Sequence, residues 1–271
     1  MNYFVRIIFI ILVFIPRQGF TQDDRTIELE GAHNVRHLGG IETEDGRTIR
    51  PFVLIRADAL AWLSPLGCEQ FRELGIKTVI DIRSDSEFEN YPDPPCVTDL
   101  VTHLHIPMSS FGSEPTMRDA YIYLFRNSSE SIRRFFEVLA DPDNLPLLYH
   151  CQIGKDRAGI LSALVLRLLN VDDEIIVTDY LISRQTGYGA EPEWIEGVLD
   201  EVDAAGGIRT YLLSIGVTDE IMERARHNVL KEPAGISGWK SHSFRLNRSS
   251  RPAPARQSPL SCADRLRPRN N

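Results

Sequence analysis

Cys151 and Arg157, with five residues between them, are the pair in this 271-residue chain whose types and spacing most directly suggest chemistry. The string around them is His150-Cys151-Gln152-Ile153-Gly154-Lys155-Asp156-Arg157. A turn of this length with Gly154 inside it can fold tightly without a Cβ penalty. It aims successive backbone N–H groups at one point, an anion nest reinforced by the N-terminus of a following helix. Arg157 adds a planar fork that matches two oxygens of a phosphoryl group. The field that holds such an anion also favours the thiolate, the form in which cysteine attacks. Cys151 is therefore the candidate nucleophile and Arg157 the candidate clamp, with His150, Gln152, Ile153, Gly154 and Lys155 as candidate binding residues. The bland alternative, a buried structural cysteine with a surface arginine six residues on, leaves Gly154, Lys155 and Gly159 unexplained.

Transfer of a phosphoryl group from an ester needs a general acid for the leaving oxygen. Asp156, inside the loop, is the first candidate. Asp81, at the end of a strand where α/β sheets place site residues, is the second. Each has a structural alternative: Asp156 pairs with Lys155 or Arg157, and Asp81 positions Arg83 or Arg157. His150 either orients Cys151 or caps the strand.

The surrounding pattern supplies elements that would position these groups. Leu147-Leu148-Tyr149 is a compact strand leading into the loop, and an apolar helix over Ile160 to Leu169 leads out, beginning near Ala158. Upstream, Asp45-Gly46 at the centre of Ile41 to Ile49 predicts a type I′ hairpin. Phe52 to Arg56 reads as a short buried strand. Ser64-Pro65 starts a helix that Gly75 ends. Lys77 to Arg83 and Val101 to Pro107 read as strands, separated by a proline-rich loop over Tyr91 to Pro95. Ser131 to Ala140 has helical spacing at Ile132, Phe135, Phe136 and Leu139. Further helices over 172–230 break at Thr186–Gly189 and Gly206-Gly207, and their apolar stripes are what core packing requires. The fold class is α/β, a single domain with a central mixed or parallel sheet flanked by helices.

Composition sets bounds on the rest. Apolar residues are 42% and charged residues 25%, values of an ordinary globular protein. A net charge of −8 argues against nucleic acid as a partner. From Lys231 onward nine basic residues face two acidic ones, and Ser, Arg and Pro dominate. Residues 232–271 read as a disordered basic tail, solvated or in weak contact with an anionic membrane. At the other end, Ile7 to Ile15 is an unbroken apolar run after Arg6 and before Pro16. It is short for a bilayer span, which needs roughly twenty residues, but suits a signal peptide over 1–21 cleaved after Thr21. The expectation is export, to periplasm or medium, or retention by an uncleaved anchor. Cys68, Cys96, Cys151 and Cys262 form no C-x-x-C pair. Export would permit a Cys68–Cys96 bridge, but the expectation is at least three unpaired cysteines.

Taken together, the residues resemble a family. The chain is similar to the cysteine-based tyrosine and dual-specificity phosphatases, above all the bacterial branch with a Gly-Lys-Asp-Arg loop. The resemblance covers the domain over 28–230, implies that the helices of 172–230 form a lid over the site, and rests on His150 to Gly159, Asn34 to Gly40, Leu54 to Leu60 and Leu74 to Ser84, followed by Glu87. It implies a two-step reaction without metal or cofactor, in which Cys151 forms a cysteinyl-phosphate that water hydrolyses. The implied substrates are phosphotyrosine, and also phosphoserine, phosphothreonine or phosphoinositide. Lys155 favours the highly charged phosphoinositides, unless it is a surface lysine screened by solvent. Three departures stand out: His37 for the usual Asp, Ala57 for a hydroxyl residue, and Ala158 for the Thr or Ser that assists the sulfur leaving group. Rival readings are a phosphate-binding pseudophosphatase, which Ala158 and His37 would suit, and a rhodanese-like sulfurtransferase.

Overall fold

The computed structural model describes residues 22–231. The apolar leader and basic tail expected at the two ends lie outside them. Five strands form one sheet: β1 (Arg36–His37), β2 (Leu54–Ala57), β3 (Thr78–Asp81), β4 (Thr102–His105) and β5 (Leu147–His150). Their order is β1-β2-β5-β3-β4, with β1 antiparallel to β2 and all other pairs parallel. The sheet is thus mixed, as the α/β pattern implied.

β2, β3 and β5 are buried at every position because both faces are covered. Along β5, Leu147 and Tyr149 join the large apolar cluster beneath helix Asp156–Leu168, while Leu148 joins a smaller one on the opposite face with Ile55, Val79 and Phe71. This period of two is the pleat itself, hidden in the sequence because both sets of side chains are apolar. The parallel register aligns Ala57, His150 and Asp81 in one row at the carboxyl ends of their strands. Cys151 leaves the sheet from the middle of that row.

The helix after the loop is Asp156–Leu168, starting two residues earlier than expected, and eleven of its thirteen residues are buried. Pro65–Glu73 begins as expected at Ser64, whose side chain accepts from the Gly67 N–H. Helix Pro192–Ala204 buries Ile195, Val198, Leu199 and Val202, so this part of 172–230 is core packing rather than a free lid.

Three local expectations fail for identifiable reasons. Thr43 N–H bonds the Arg47 carbonyl at 2.9 Å, and only Gly46 of the Glu44-Asp45-Gly46 connection has positive φ, at 77°. The hairpin is therefore the three-residue type closed by a left-handed glycine, not a two-residue type I′ turn. Phe52 lies outside its strand, with φ 59° and 45% exposure. Finally, Cys68 and Cys96 are disulfide-bonded, leaving Cys151 as the free cysteine among the described residues. The expectation of three unpaired cysteines was wrong, because helix Pro65–Glu73 packs beside Pro95–Thr98 and brings residues 28 apart to a Cα separation of 5.7 Å.

Candidate active site

Peptide carbonyls and the N–H groups on the next residues point in opposite directions, so the partners of the loop's carbonyls reveal where its donors face. The Gln152 carbonyl accepts from Ala59 N–H at 3.3 Å. The Ile153 carbonyl accepts from Asn34 Nδ2 at 3.2 Å. The Gly154 and Lys155 carbonyls accept from Arg56 Nη2 at 2.7 and 3.2 Å. Four successive carbonyls are thus tied down from behind, which turns the N–H groups of residues 153 to 156 toward the concave side as an anion nest. Gly154 is required there: its φ is +65°, and a Cβ would lie 2.7 Å from the Ala57 carbonyl.

Cys151 is 1% exposed and unbridged at the start of this nest. At the other end, Arg157 donates Nη1 and Nη2 to the two oxygens of Glu87, at 2.6 and 2.8 Å. Burial works against the Arg157 charge, but Glu87 and the neighbouring Cys151 outweigh it and raise its pKa. Glu87 is itself pinned by Ser84 in a reciprocal helix cap. Burial would raise its carboxyl, yet Arg157 brings it down to about 2. The clamp therefore arrives pre-aimed by a fork-to-fork pair.

The two candidate acids sit in different surroundings. Asp156 opens the helix; one of its oxygens, Oδ1, accepts from the Tyr121 hydroxyl and lies 3.3 Å from Lys155 Nζ. Tyr121 in turn meets the Tyr180 hydroxyl at 2.6 Å. Burial, then the Asp156 charge, push the Tyr121 phenol well above its usual range, so it stays a donor. Asp81 is fully buried, and both its oxygens are taken by Arg83 at 2.6 to 3.0 Å. The geometry gives it the structural alternative weighed above: it holds Arg83, 3.9 Å from His150.

His150 is buried, with Nε2 at 2.9 Å from Asp93 Oδ2. That oxygen also meets His103 Nε2 at 3.0 Å, and the other oxygen of Asp93 meets Arg83 at 3.0 Å. Burial would discharge His150, but Asp93 and Asp81 raise its pKa. Asp81, Asp93, His103 and His150 bring ligand atoms within 4.8 Å of one another, a set that could suit a metal. The cation their carboxylates hold is Arg83.

Lys155 was expected to face a charged substrate. It is 3% exposed, and its ammonium is spent on the Gly189 and Tyr188 carbonyls at 3.0 and 3.3 Å and on the Trp194 ring at 5.0 Å. It ties the loop to the 187–194 segment rather than offering a free charge. Gln152 and Ile153 are half-buried at the loop's outer edge, where they line a groove.

Several working residues were invisible as site residues in the sequence. Asn34, with φ 53°, both braces the Ile153 carbonyl and accepts from Arg36 at 2.6 Å. Arg56 looked like one residue of a strand, and Asp93 like part of a proline-rich loop. Tyr121 lies on helix Met117–Arg126, which the sequence reading passed over. Its signals were present: Thr116 as a cap accepting from Asp119 N–H, then apolar residues at Ala120, Tyr121, Leu124 and Phe125.

A family model for the tyrosine phosphatase family matches residues 27–249. Triple specificity protein phosphatase PtpB of Mycobacterium tuberculosis is 29% identical over 197 residues, covering 59% of this chain and 69% of that one. A tyrosine-protein phosphatase of Nostoc commune is 28% identical over 141 residues, 48% of this chain and 47% of its own length, so the chain spans about half of that relative. Among solved structures, the Siw14 catalytic core aligns with a TM-score of 0.41 at 20% identity, covering 63% of this chain and 88% of that one. The family match runs through the loop, its Asn34 and Arg56 braces and the Glu87 clamp, and the chain belongs to the tyrosine phosphatase family.

Proposed function

We propose that the protein is a cysteine-dependent phosphatase that hydrolyses phosphotyrosine through a cysteinyl-phosphate. The observation that carries this is the nest: a free, buried Cys151 below four inward N–H groups, facing a guanidinium aimed by Glu87. The Cys151 thiolate attacks phosphorus in line, forming the S–P bond as the P–O ester bond breaks. Asp156 gives its proton to the departing phenolate. The N–H groups and Arg157 hold the three equatorial oxygens, where charge is greatest in the transition state. Water then attacks the cysteinyl-phosphate, Asp156 takes back a proton, and inorganic phosphate leaves with the thiolate restored. Asp156 serves as the acid in this reading because it opens the helix at the nest, whereas Asp81 is sealed against Arg83.

The decisive experiment compares wild type with Cys151→Ser on phosphotyrosine, phosphoserine, phosphothreonine and phosphoinositide, without added metal. Loss of all turnover in the variant is expected; activity that survives it would overturn the assignment. A thiosulfate:cyanide assay is expected to show no sulfur transfer. Ala158 contributes no hydroxyl, and the nearest downstream one, Ser162, is occupied by the Ala158 carbonyl, Tyr149 and Arg56. Hydrolysis of the intermediate is therefore the slow step in this reading. Ala158→Thr should raise kcat several-fold and shrink the pre-steady-state burst; an unchanged burst would place the slow step elsewhere.

Export is part of the same proposal. The apolar run Ile7 to Ile15 supports it, as does the Cys68–Cys96 bridge, since disulfides persist in oxidising compartments. Mass analysis of the protein recovered from the source cell's exterior fraction should show loss of 1–21; recovery of intact chain only from the cytosol would refute it.

A further inference from the structure

A groove of about 970 Å³ opens directly beside the nest, reaching Gln152 and Ile153 of the loop and Asp58, whose backbone packs against Gly154. Its apolar lining includes Trp62, Leu66 and Tyr188, which are 60%, 50% and 66% exposed. Large apolar side chains left this open beside a site invite a partner. The volume far exceeds a phosphoryl group, so the groove would hold what flanks the phosphate.

Its charges decide what that is. Glu28 and Glu30 line it and are exposed, while a third acid, Asp58, is held by the backbone N–H of His33 at 2.6 Å and lies 3.4 Å from its imidazole. Among the described residues of the lining, the one arginine or lysine is Arg36, which is 1% exposed and committed to Asn34 and Asp179. Lys155, the cation that would have drawn a polyanionic headgroup, is held by backbone carbonyls. An acidic, aromatic channel next to an anion nest repels an anionic lipid surface and attracts a chain that is basic on either side of one phosphate.

Resting on the phosphatase reading, we infer that this groove binds the polypeptide flanking a phosphotyrosine, and selects substrates with lysine or arginine near the phosphorylated residue. Exposed charge pairs are individually weak, so two or three of them together amount to a preference of roughly tenfold. Trp62 and Tyr188 supply apolar and cation–π contact for the same long basic side chains.

The test measures kcat/KM for three substrates on the full chain: a phosphotyrosyl peptide with lysines on both sides, the same peptide with glutamates, and free phosphotyrosine. Vesicles containing a phosphatidylinositol phosphate form a fourth arm. The basic peptide should exceed the acidic one about tenfold at low salt, with the ratio shrinking as salt rises. In the double variant Glu28→Gln, Glu30→Gln the ratio should fall toward one. Equal rates for the two peptides, a ratio untouched by the double variant, or vesicles preferred to the basic peptide would each overturn the groove assignment while leaving the phosphatase reading in place. Hydrolysis of none of the four substrates would overturn the phosphatase reading, and the groove assignment with it.

Discussion

Two buried charge clusters flank the nest, and they are built on opposite principles. At the strand side, the two carboxylates of Asp81 and Asp93 face two cations, Arg83 and His150. Behind the loop's carbonyls, Arg25, Arg36 and Arg56 all converge on the single carboxylate of Asp179. The first cluster cancels itself. Among the described residues the second leaves two guanidinium charges unbalanced, and burial together with the neighbouring Arg56 lowers the Arg36 pKa to about 10. The Nε atoms of Arg36 and Arg56 have no hydrogen-bond partner among the described residues. An excess of one sign raises the positive potential around it. The difference teaches that the first cluster holds a geometry, whereas the second also supplies a field, directed through Arg56 at the nest.

Removing Asp179 should break the contrast most violently. Asp179→Ala leaves three buried guanidinium groups without a counter-charge, and loss of one partner of a buried pair costs about 3–5 kcal/mol. Urea unfolding should show that loss, and inorganic phosphate should restore part of it by binding the nest. A variant as stable as wild type would mean that the arginines find other partners. Next in size is Arg56→Lys, which keeps the charge but cannot span two carbonyls and Asp179 together. Its Ki for inorganic phosphate should rise about tenfold or more, as charge-assisted hydrogen bonds contribute about 1.5–3 kcal/mol each. His150→Asn, in the balanced cluster, should move the same Ki by less than about threefold; equal effects in the two variants would erase the comparison.

The smallest effect is a pH slope. The His150 pKa is raised above its ordinary 6.5 despite burial, through Asp93 and Asp81. A group raised in the folded state contributes stability that is complete below about pH 6.5 and is lost as pH rises through the folded value. The wild-type urea midpoint should therefore decline with pH above 6.5, and Asp93→Asn should flatten that decline. An unchanged slope in the variant would assign it to another group. Asp93 itself behaves oppositely: burial would raise it, but His150, His103 and Arg83 hold it well below its usual value. Its contribution is present above about pH 3.8 and lost only as pH falls through that lower value.

What could be read from the sequence was what is encoded within a few residues. The loop, its strand and its helix are consecutive, and Ser64 caps a helix through a residue only three positions away. The sheet's parallel core was legible because Thr78 to Asp81 and Leu147 to His150 are short runs bounded by turn signals. The braces were not legible, since nothing local marks them. Arg56 serves carbonyls 98 and 99 positions later, and Arg25 meets Asp179 across 154 positions. Lys155 shows the converse: its type and place suggested a substrate contact, and only the arrival of the Tyr188 and Gly189 carbonyls reveals that its charge is already used. The hairpin at Thr43 to Arg47 departs for a local reason, since Asp-Gly serves both a two-residue loop with positive φ at each residue and a three-residue loop with positive φ at the glycine alone.

The disulfide has a consequence for how the enzyme ages under oxidative stress. A thiolate nucleophile oxidises first to a sulfenic acid, which is rescued when a second thiol condenses with it. Cys68 and Cys96 are already spent on each other, so among the described residues Cys151 has no thiol to resolve it. Repair of peroxide damage at Cys151 would then fall to a thiol outside the described residues, Cys262 or a small thiol in solution, and without one the damage would advance to the irreversible sulfinic acid.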